Sequence, residues 1–390
     1  MLSKLTFISE VLNKVIDNKE ISNDEAYQIY QESQHGPSEL YKIAQILRNK
    51  QKGTKVTYSR KIFFNLINLC RDSCSYCTYK SEPGQSKISM MSKSDVQNLA
   101  KTGKNYGCTE ALFVTGERPE QKYVEARNWL KENGFTSTTE YLIHASEMAL
   151  KEGLFPHTNA GNLTKAEMNE LKKTNVSLGL MLENTSERLS GKNMPHEFAP
   201  SKNPKARIKV LENAGELRIP MTTGLLIGIG ESPFELIESI YAIKEIHKKF
   251  GHIQEIILQN FQPKPDTVMK DIPSPQERYF RTFVALTRVI MPEMNIQIPP
   301  NLSPISYFDF LSVGINDWGG ISPITPDYVN PEFPWPSIES IERNCTNAGF
   351  QLRARLPIYP EFMSFVSSNL KSKIMEIADS GGFVKEGYFK

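Results

Sequence analysis

No stretch of the chain reaches roughly 18 uninterrupted apolar residues, which argues against a membrane-spanning helix. The N-terminus, Met1-Leu2-Ser3-Lys4-Leu5, soon meets Glu10, Asp17, Lys19 and Glu20, so it lacks the apolar core and small-residue cleavage site of a signal peptide. Charge of one sign is missing too. With 46 Lys and Arg against 44 Asp and Glu, the formal net charge is +2, which excludes a strongly basic polyanion binder and an acidic tail protein. Low-complexity runs and short repeats are absent. Cysteine is scarce: five in 390 residues, an odd number and too few for a disulfide scaffold. The expected compartment is the cytoplasm, where thiols stay reduced and can ligate metal, with no nucleic-acid or membrane partner. What is present, 39% hydrophobic and 23% charged residues, describes a globular protein with a large core.

The first fifty residues read as helices, with Ser22-Asn23-Asp24-Glu25 as an N-cap and acidic first turn. From about Lys61 a unit repeats: a short β-rich run, a polar loop, an amphipathic helix. The runs are Ile62–Leu69, Ala111–Val114, Leu154–His157, Val176–Glu183, Thr222–Ile229, Ile253–Phe261, Ile296–Ile298 and Trp318–Ile321. Helical patterns separate them, beginning near Ser92 and spanning Thr139–Glu152, Pro233–Phe250 and Gln276–Ile290. Such alternation implies a parallel sheet with right-handed crossovers, and eight units imply an α/β fold of the (β/α)8 barrel type. An open barrel of six units with a C-terminal extension is the alternative. Residues 1–58 read as a helical N-terminal segment expected to cover the bottom of the barrel, 59–362 as the barrel, and 363–390 as a helical extension. The Pro-rich stretch Pro323–Pro336 reads as loop. Chemistry is expected at the C-terminal ends of the strands.

Three of the five cysteines fall in Cys70-Arg71-Asp72-Ser73-Cys74-Ser75-Tyr76-Cys77, directly after the first run. The spacing C-x3-C-x2-C lets three thiolates converge on one inorganic centre. Three ligands suit a [4Fe–4S] cube with one open iron. A zinc knuckle completed by a distant His, or buried structural thiols, are the plainer readings. The motif, with an aromatic residue before its last cysteine, resembles the signature of the radical S-adenosylmethionine (SAM) superfamily. The resemblance implies a cluster bound by Cys70, Cys74 and Cys77, SAM on the open iron, cleavage of SAM to a 5′-deoxyadenosyl radical, and Tyr76 as the ring shielding the cluster.

Other strand ends follow. Thr115-Gly116-Glu117 is by itself an ordinary turn, but it resembles the superfamily element that receives the methionine amino group, with Thr115 in a place often taken by Gly. The run from Gly224 to Glu231 resembles the G-x-I-x-G-x-x-E element, which sets Gly228 and Ile229 against the adenine; glycines that merely thin a crowded strand are the alternative. Glu183 could accept ribose hydroxyls or cap the following segment. His157 and Asn159 suit substrate hydrogen bonding or proton transfer, or are structural. Gln259, Asn260, Asn301 and Asp317 give the barrel mouth an expected neutral, hydrogen-bonding lining, with Asp317 also a catalytic candidate.

Longer strings point to one family. Gly116-Glu117-Arg118-Pro119-Glu120, Gln259-Asn260-Phe261, Pro299-Pro300-Asn301-Leu302 and Gly314-Ile315-Asn316-Asp317-Trp318-Gly319-Gly320 resemble the smaller, cyclising subunit of 7,8-didemethyl-8-hydroxy-5-deazariboflavin synthase over about Ser59 to Phe362. Lys80 departs from the Arg expected after Thr78-Tyr79. The resemblance implies a carbon–nitrogen lyase that closes the deazaflavin ring of a hydroxybenzyl–ribityluracil adduct and releases ammonia. A partner radical SAM subunit makes that adduct, and ferredoxin or flavodoxin supplies low-potential electrons. The rivals are the hydroxybenzyl-transferring sister subunit, a menaquinone-pathway or biotin-synthase-like barrel enzyme, and a zinc-stabilised binding module.

Overall fold

The computed structural model describes residues 9–11 and 13–389. Eight parallel strands close into a barrel: β1 (Lys55–Ile67), β2 (Glu110–Thr115), β3 (Phe155–Asn159), β4 (Ser177–Gly179), β5 (Met221–Ile227), β6 (Ile253–Asn260), β7 (Ile296–Gln297) and β8 (Asp317–Ile321). β1 seals the ring, pairing with β2 from Lys61↔Glu110 to Ile67↔Thr115 and with β8 from Thr57↔Asp317 to Arg60↔Ile321. Its sequence, KVTYSRKIFFNLI, is largely buried along its length because helices cover one face and barrel contents the other. Local chemistry starts and stops the helices. Ser232 and Glu235 form a capping box ahead of Pro233–Phe250, and Gly251, at φ 64°, ends it in the left-handed conformation.

A ninth strand was not legible in the sequence. β9 (Gln351–Arg355) pairs in parallel with the lower half of β1, from Lys55↔Gln351 to Ser59↔Arg355. The chain then runs beneath the barrel, where the Pro357 carbonyl accepts from Ser177 and the Tyr359 N–H donates to Gln254 Oε1 at 3.2 Å. This segment crosses the bottom, and the end of the helix Ser38–Lys52 reaches the same level, where Arg48 donates to the Ile315 carbonyl at 3.1 Å and the Lys55 carbonyl at 2.6 Å. The bodies of the helices Asn23–Ser33 and Ser38–Lys52 pack on the flank, tied by Tyr41 Oη to the Arg278 carbonyl at 3.3 Å and by Arg278 to the Ser33 carbonyl at 2.9 Å. The helix Ser368–Ile377 forms a second apolar cluster with Phe155, Val176, Leu356 and Ile358. Among the described residues no helix is long and apolar enough to cross a membrane.

Candidate active site

The loop after β1 carries Cys70, Cys74 and Cys77 to the rim of a cavity of about 320 Å³ at the C-terminal ends of the strands. None of the three is in a disulfide, and all are partly buried. The Glu117 N–H donates to Cys70 Sγ at 3.2 Å. The loop is pinned by the Ser73 N–H on the Phe198 carbonyl at 2.8 Å and by Lys80, which donates to Ser73 Oγ at 2.6 Å and pairs with Glu82 at 2.6 Å. Lys80 therefore serves as a brace for the loop. Burial pushes the Cys70 and Cys74 thiols up to about 11 and about 12, so ionising both needs a compensating positive centre.

The donor set fits a cluster better than a single ion. Among the described residues no three His, Cys, Asp or Glu side chains converge as ligands of one metal ion, whereas a cube spreads three thiolates over three irons. Tyr76 lies beside the thiols in an apolar pocket with Leu189, Ile229, Phe261 and Met269, and its hydroxyl meets His196 Nε2 at 3.0 Å.

Gly116 lets β2 pass against the cysteine loop: a Cβ there would stand 2.0 Å from the Leu69 oxygen and 2.8 Å from Cys70 Cα. The carboxylate of Glu117 accepts from the Asn162 N–H at 2.9 Å, and burial pushes its pKa up. Arg118 sits at φ 42° and clamps Glu167 through both guanidinium nitrogens at 2.6 Å, and Pro119 opens the next helical turn. Each residue of Gly-Glu-Arg-Pro thus has a mechanical part in holding the Glu117 carboxylate at the rim.

Thr115, Gly116, Glu117, Asn159, Glu183, Gln259 and Asn260 all line the cavity, as expected from their strand ends. Glu183 adopts φ 65°; one oxygen pairs with Lys202, and Oε2 is buried without a partner. Asn260 donates to the Leu302 carbonyl at 2.9 Å and leaves Oδ1 unpartnered.

Five expected residues, Gly228, Ile229, Asn301, Asp317 and His157, stand elsewhere. The Gly228 and Ile229 N–H groups are taken by Glu231 at 2.7 and 2.8 Å; Leu226, not they, reaches the lining, while Ile229 packs by Tyr76. Asn301 is fully buried and holds the 323–336 loop, donating to Asp327 Oδ2 at 3.0 Å and to the Phe333 carbonyl at 3.1 Å. Asp317 opens β8 rather than following it, so it lies at the bottom, fully buried and paired bidentately with Arg355 at 2.7 and 3.0 Å.

His157 lines a smaller chamber of about 110 Å³ below the main cavity with Glu110, Glu255 and Arg355. Its Nδ1 lies 2.6 Å from Ser177 Oγ, and burial holds its pKa near 4.

The lining carries charged groups of both signs, four of each, where the sequence suggested uncharged hydrogen-bonding residues. Lys61, Lys202, Arg207 and Lys264 face Asp72, Glu117, Glu183 and Asp327 across it. Sequence reasoning missed these cations together with Asp327, Asn330 and Trp335, all from a loop read only as a connection. The clue was Asp327 three residues before Asn330, an Asx-type turn in which Asp327 Oδ1 accepts the Val329 N–H at 3.0 Å.

Residues 64–241 match the Radical SAM superfamily. The chain is 44% identical over 333 residues to the 7,8-didemethyl-8-hydroxy-5-deazariboflavin synthase of Methanopyrus kandleri, covering 85% of this chain and 100% of that protein. It is 42% identical over 350 residues to the protein of the same name from Methanocaldococcus jannaschii, covering 89% and 95%. To the FO synthase of Nocardia farcinica it is 44% identical over 316 residues, 79% of this chain but 36% of that longer protein. Two solved structures share the fold: methylornithine synthase, at TM-score 0.70 and 17% identity over 88% of this chain and 97% of that one, and an FeFe-hydrogenase maturase from Carboxydothermus hydrogenoformans, at 0.72 and 21% over 94% and 87%. With 44% identity through the whole length of the Methanopyrus protein, the chain belongs to the 7,8-didemethyl-8-hydroxy-5-deazariboflavin synthase family, radical SAM enzymes of deazaflavin biosynthesis that use a [4Fe–4S] cluster and SAM.

Proposed function

We propose that this chain is the cyclising subunit. In this reading it converts 5-amino-5-(4-hydroxybenzyl)-6-(D-ribitylimino)-5,6-dihydrouracil to 7,8-didemethyl-8-hydroxy-5-deazariboflavin with release of ammonia, as a carbon–nitrogen lyase. When bound, the cluster and SAM supply a 5′-deoxyadenosyl radical that takes a hydrogen atom from the substrate. Cys70, Cys74 and Cys77 would hold the cluster, and Tyr76 would shield it from water. Glu117 would accept the methionine ammonium, a charge-assisted contact at the rim. Glu183 would take ribose hydroxyls, and Asn159, Gln259 and Asn260 the polar edges of the substrate below.

The observation that carries the reading is the meeting in one cavity of three unpaired thiols with two unused acceptors, Glu183 Oε2 and Asn260 Oδ1. Buried acceptors left without partners by the protein are places for ligand hydroxyls and N–H groups. The partners in this reading are a sister radical SAM subunit that delivers the adduct and a ferredoxin- or flavodoxin-like electron donor, in the cytoplasm.

The test incubates the anaerobic, reduced protein with SAM and the adduct and looks for a fluorescent deazaflavin. Fluorescent product supports the reading; 5′-deoxyadenosine without deazaflavin sinks it.

A further inference from the structure

Lys61 points into the barrel from β1, six residues, or about 20 Å along the strand, below its upper end at Ile67. The structure has made room for it. Gly320 on β8 faces it so closely that a Cβ there would stand 2.3 Å from Lys61 Cδ and 3.0 Å from Nζ. The ammonium nitrogen lies 4.5 Å from the ring centroid of Trp335, whose own Nε1 is buried without a partner.

Lys61 is 7% exposed and lines both the main cavity and the chamber beneath it. Among the described residues its nitrogen forms no hydrogen bond and no ion pair, although a buried lysine ordinarily finds a carboxylate. The charged and titratable groups facing it are Glu110 on β2, His157 on β3, Glu255 on β6, Asp327 on the 323–336 loop and Arg355 after β9. Burial pulls its pKa down and Arg355 adds to that, against the pull of Glu110, Asp327 and Glu255. A desolvated amine without a protein partner, on the wall of a ligand cavity, is equipped to exchange protons with what the cavity holds.

We propose that Lys61 is the proton-transfer residue of the ammonia-releasing step. Its free amine removes a proton from the benzylic carbon adjacent to the amino-bearing ring carbon. The C–H electron pair becomes a carbon–carbon double bond, and the C–N bond breaks with its pair passing to nitrogen. The Lys61 ammonium returns the proton to that nitrogen, which leaves as ammonia. The step consumes no oxidant or reductant. It rests on the reaction proposed above.

The experiment compares anaerobic, cluster-loaded wild type with Lys61→Met, which keeps the apolar stem, and Lys61→Arg, which keeps the charge but does not release its proton near neutral pH. Iron per chain reports folding of each variant. With SAM and the adduct, both variants are expected to form 5′-deoxyadenosine within about threefold of wild type. The deazaflavin made per 5′-deoxyadenosine should fall about 100-fold, as loss of a proton-transfer group does. In wild type that ratio should decline toward acid pH as the amine is protonated. A fall of tenfold or more in every variant that retains iron supports the role; a smaller fall in any of them overturns it. If wild type itself forms 5′-deoxyadenosine without deazaflavin, the reaction reading fails and the Lys61 role with it, which is distinct from failure of the variants alone.

Discussion

Replacing Asp317 by Asn should unfold the barrel from below rather than disturb substrate binding. Asp317 is fully buried and takes two hydrogen bonds from Arg355, at 2.7 and 3.0 Å, with a third from Thr57. Arg355 is itself 4% exposed, and its remaining carboxylate partner is Glu255 at 2.9 Å. Breaking a buried ion pair by removing one partner costs about 3–5 kcal/mol, because the other charge stays desolvated. The Asn variant belongs at the low end of that range. Burial first, and then the Asp317 charge, push the Glu255 carboxyl up to about 7, so with Asp317 gone Glu255 ionises more readily and takes over part of the guanidinium's need. Arg355→Met belongs at the high end, since it leaves two buried carboxylates with no cation between them. The double variant Asp317→Asn/Arg355→Met should cost clearly less than the two single losses together, by about 2 kcal/mol or more. Urea unfolding of the four proteins by tryptophan fluorescence measures the cycle. An Asp317→Asn protein with the wild-type midpoint but a raised KM for the adduct would refute this reasoning and return Asp317 to the substrate.

Two further predictions concern the rim and the acid limb of stability. In Gly116→Ala the new methyl meets the Leu69–Cys70 backbone, so the Cys70 loop must move by about 1 Å; we expect a loss of about 2–3 kcal/mol and substoichiometric iron, while Gly36→Ala, with nothing within 4 Å, stays within about 0.5 kcal/mol of wild type. Full iron and an unchanged midpoint in Gly116→Ala would show that the loop yields without cost. His252 is buried, and burial holds its pKa down to about 4. A depressed folded pKa gives stability that is present above the unfolded value of about 6.5 and lost as pH falls through 4. His252→Phe should therefore lose less stability than wild type between pH 6.5 and 4, by on the order of 2 kcal/mol; parallel urea midpoints over that range would count against it.

The barrel was legible because periodicity reports burial: runs such as KIFFNLI are covered on both faces, and helices such as Pro233–Phe250 carry their caps in the sequence. The cysteine loop was legible because spacing is local. What escaped was long-range. β9 is a half-exposed pentapeptide, Gln-Leu-Arg-Ala-Arg, whose partner lies some 300 residues earlier, and no local pattern marks such a pairing. Asp317 and Gly320 belong to one short strand, and composition does not say which end faces the mouth. Gly319 and Gly320 fall inside the short run read as the eighth strand, and nothing local shows that each clears space for an inward side chain, Gln297 and Lys61 respectively. The Asn-Asp-Trp-Gly-Gly string is in this light mainly architectural. Asn316 accepts from Arg288 at 2.8 Å, Asp317 anchors Arg355, and Trp318 donates to Cys345 Sγ at 3.4 Å. The Trp318 contact also gives one of the two cysteines outside the cluster loop a place; the other, Cys108, donates to the Lys61 carbonyl at 3.4 Å.

The chain beneath the barrel, from Arg355 to Tyr359, has a kinetic consequence. A tube stoppered at one end is a queue. Whatever rests against Lys61 and Trp335 at the floor must come past the thiol rim, and a molecule later seated on that rim stands in its way out. In the proposed reading, substrate is therefore expected to load before SAM, and the finished ring to leave after the spent nucleoside and methionine; product-inhibition patterns measure that order, and random-order patterns would refute it.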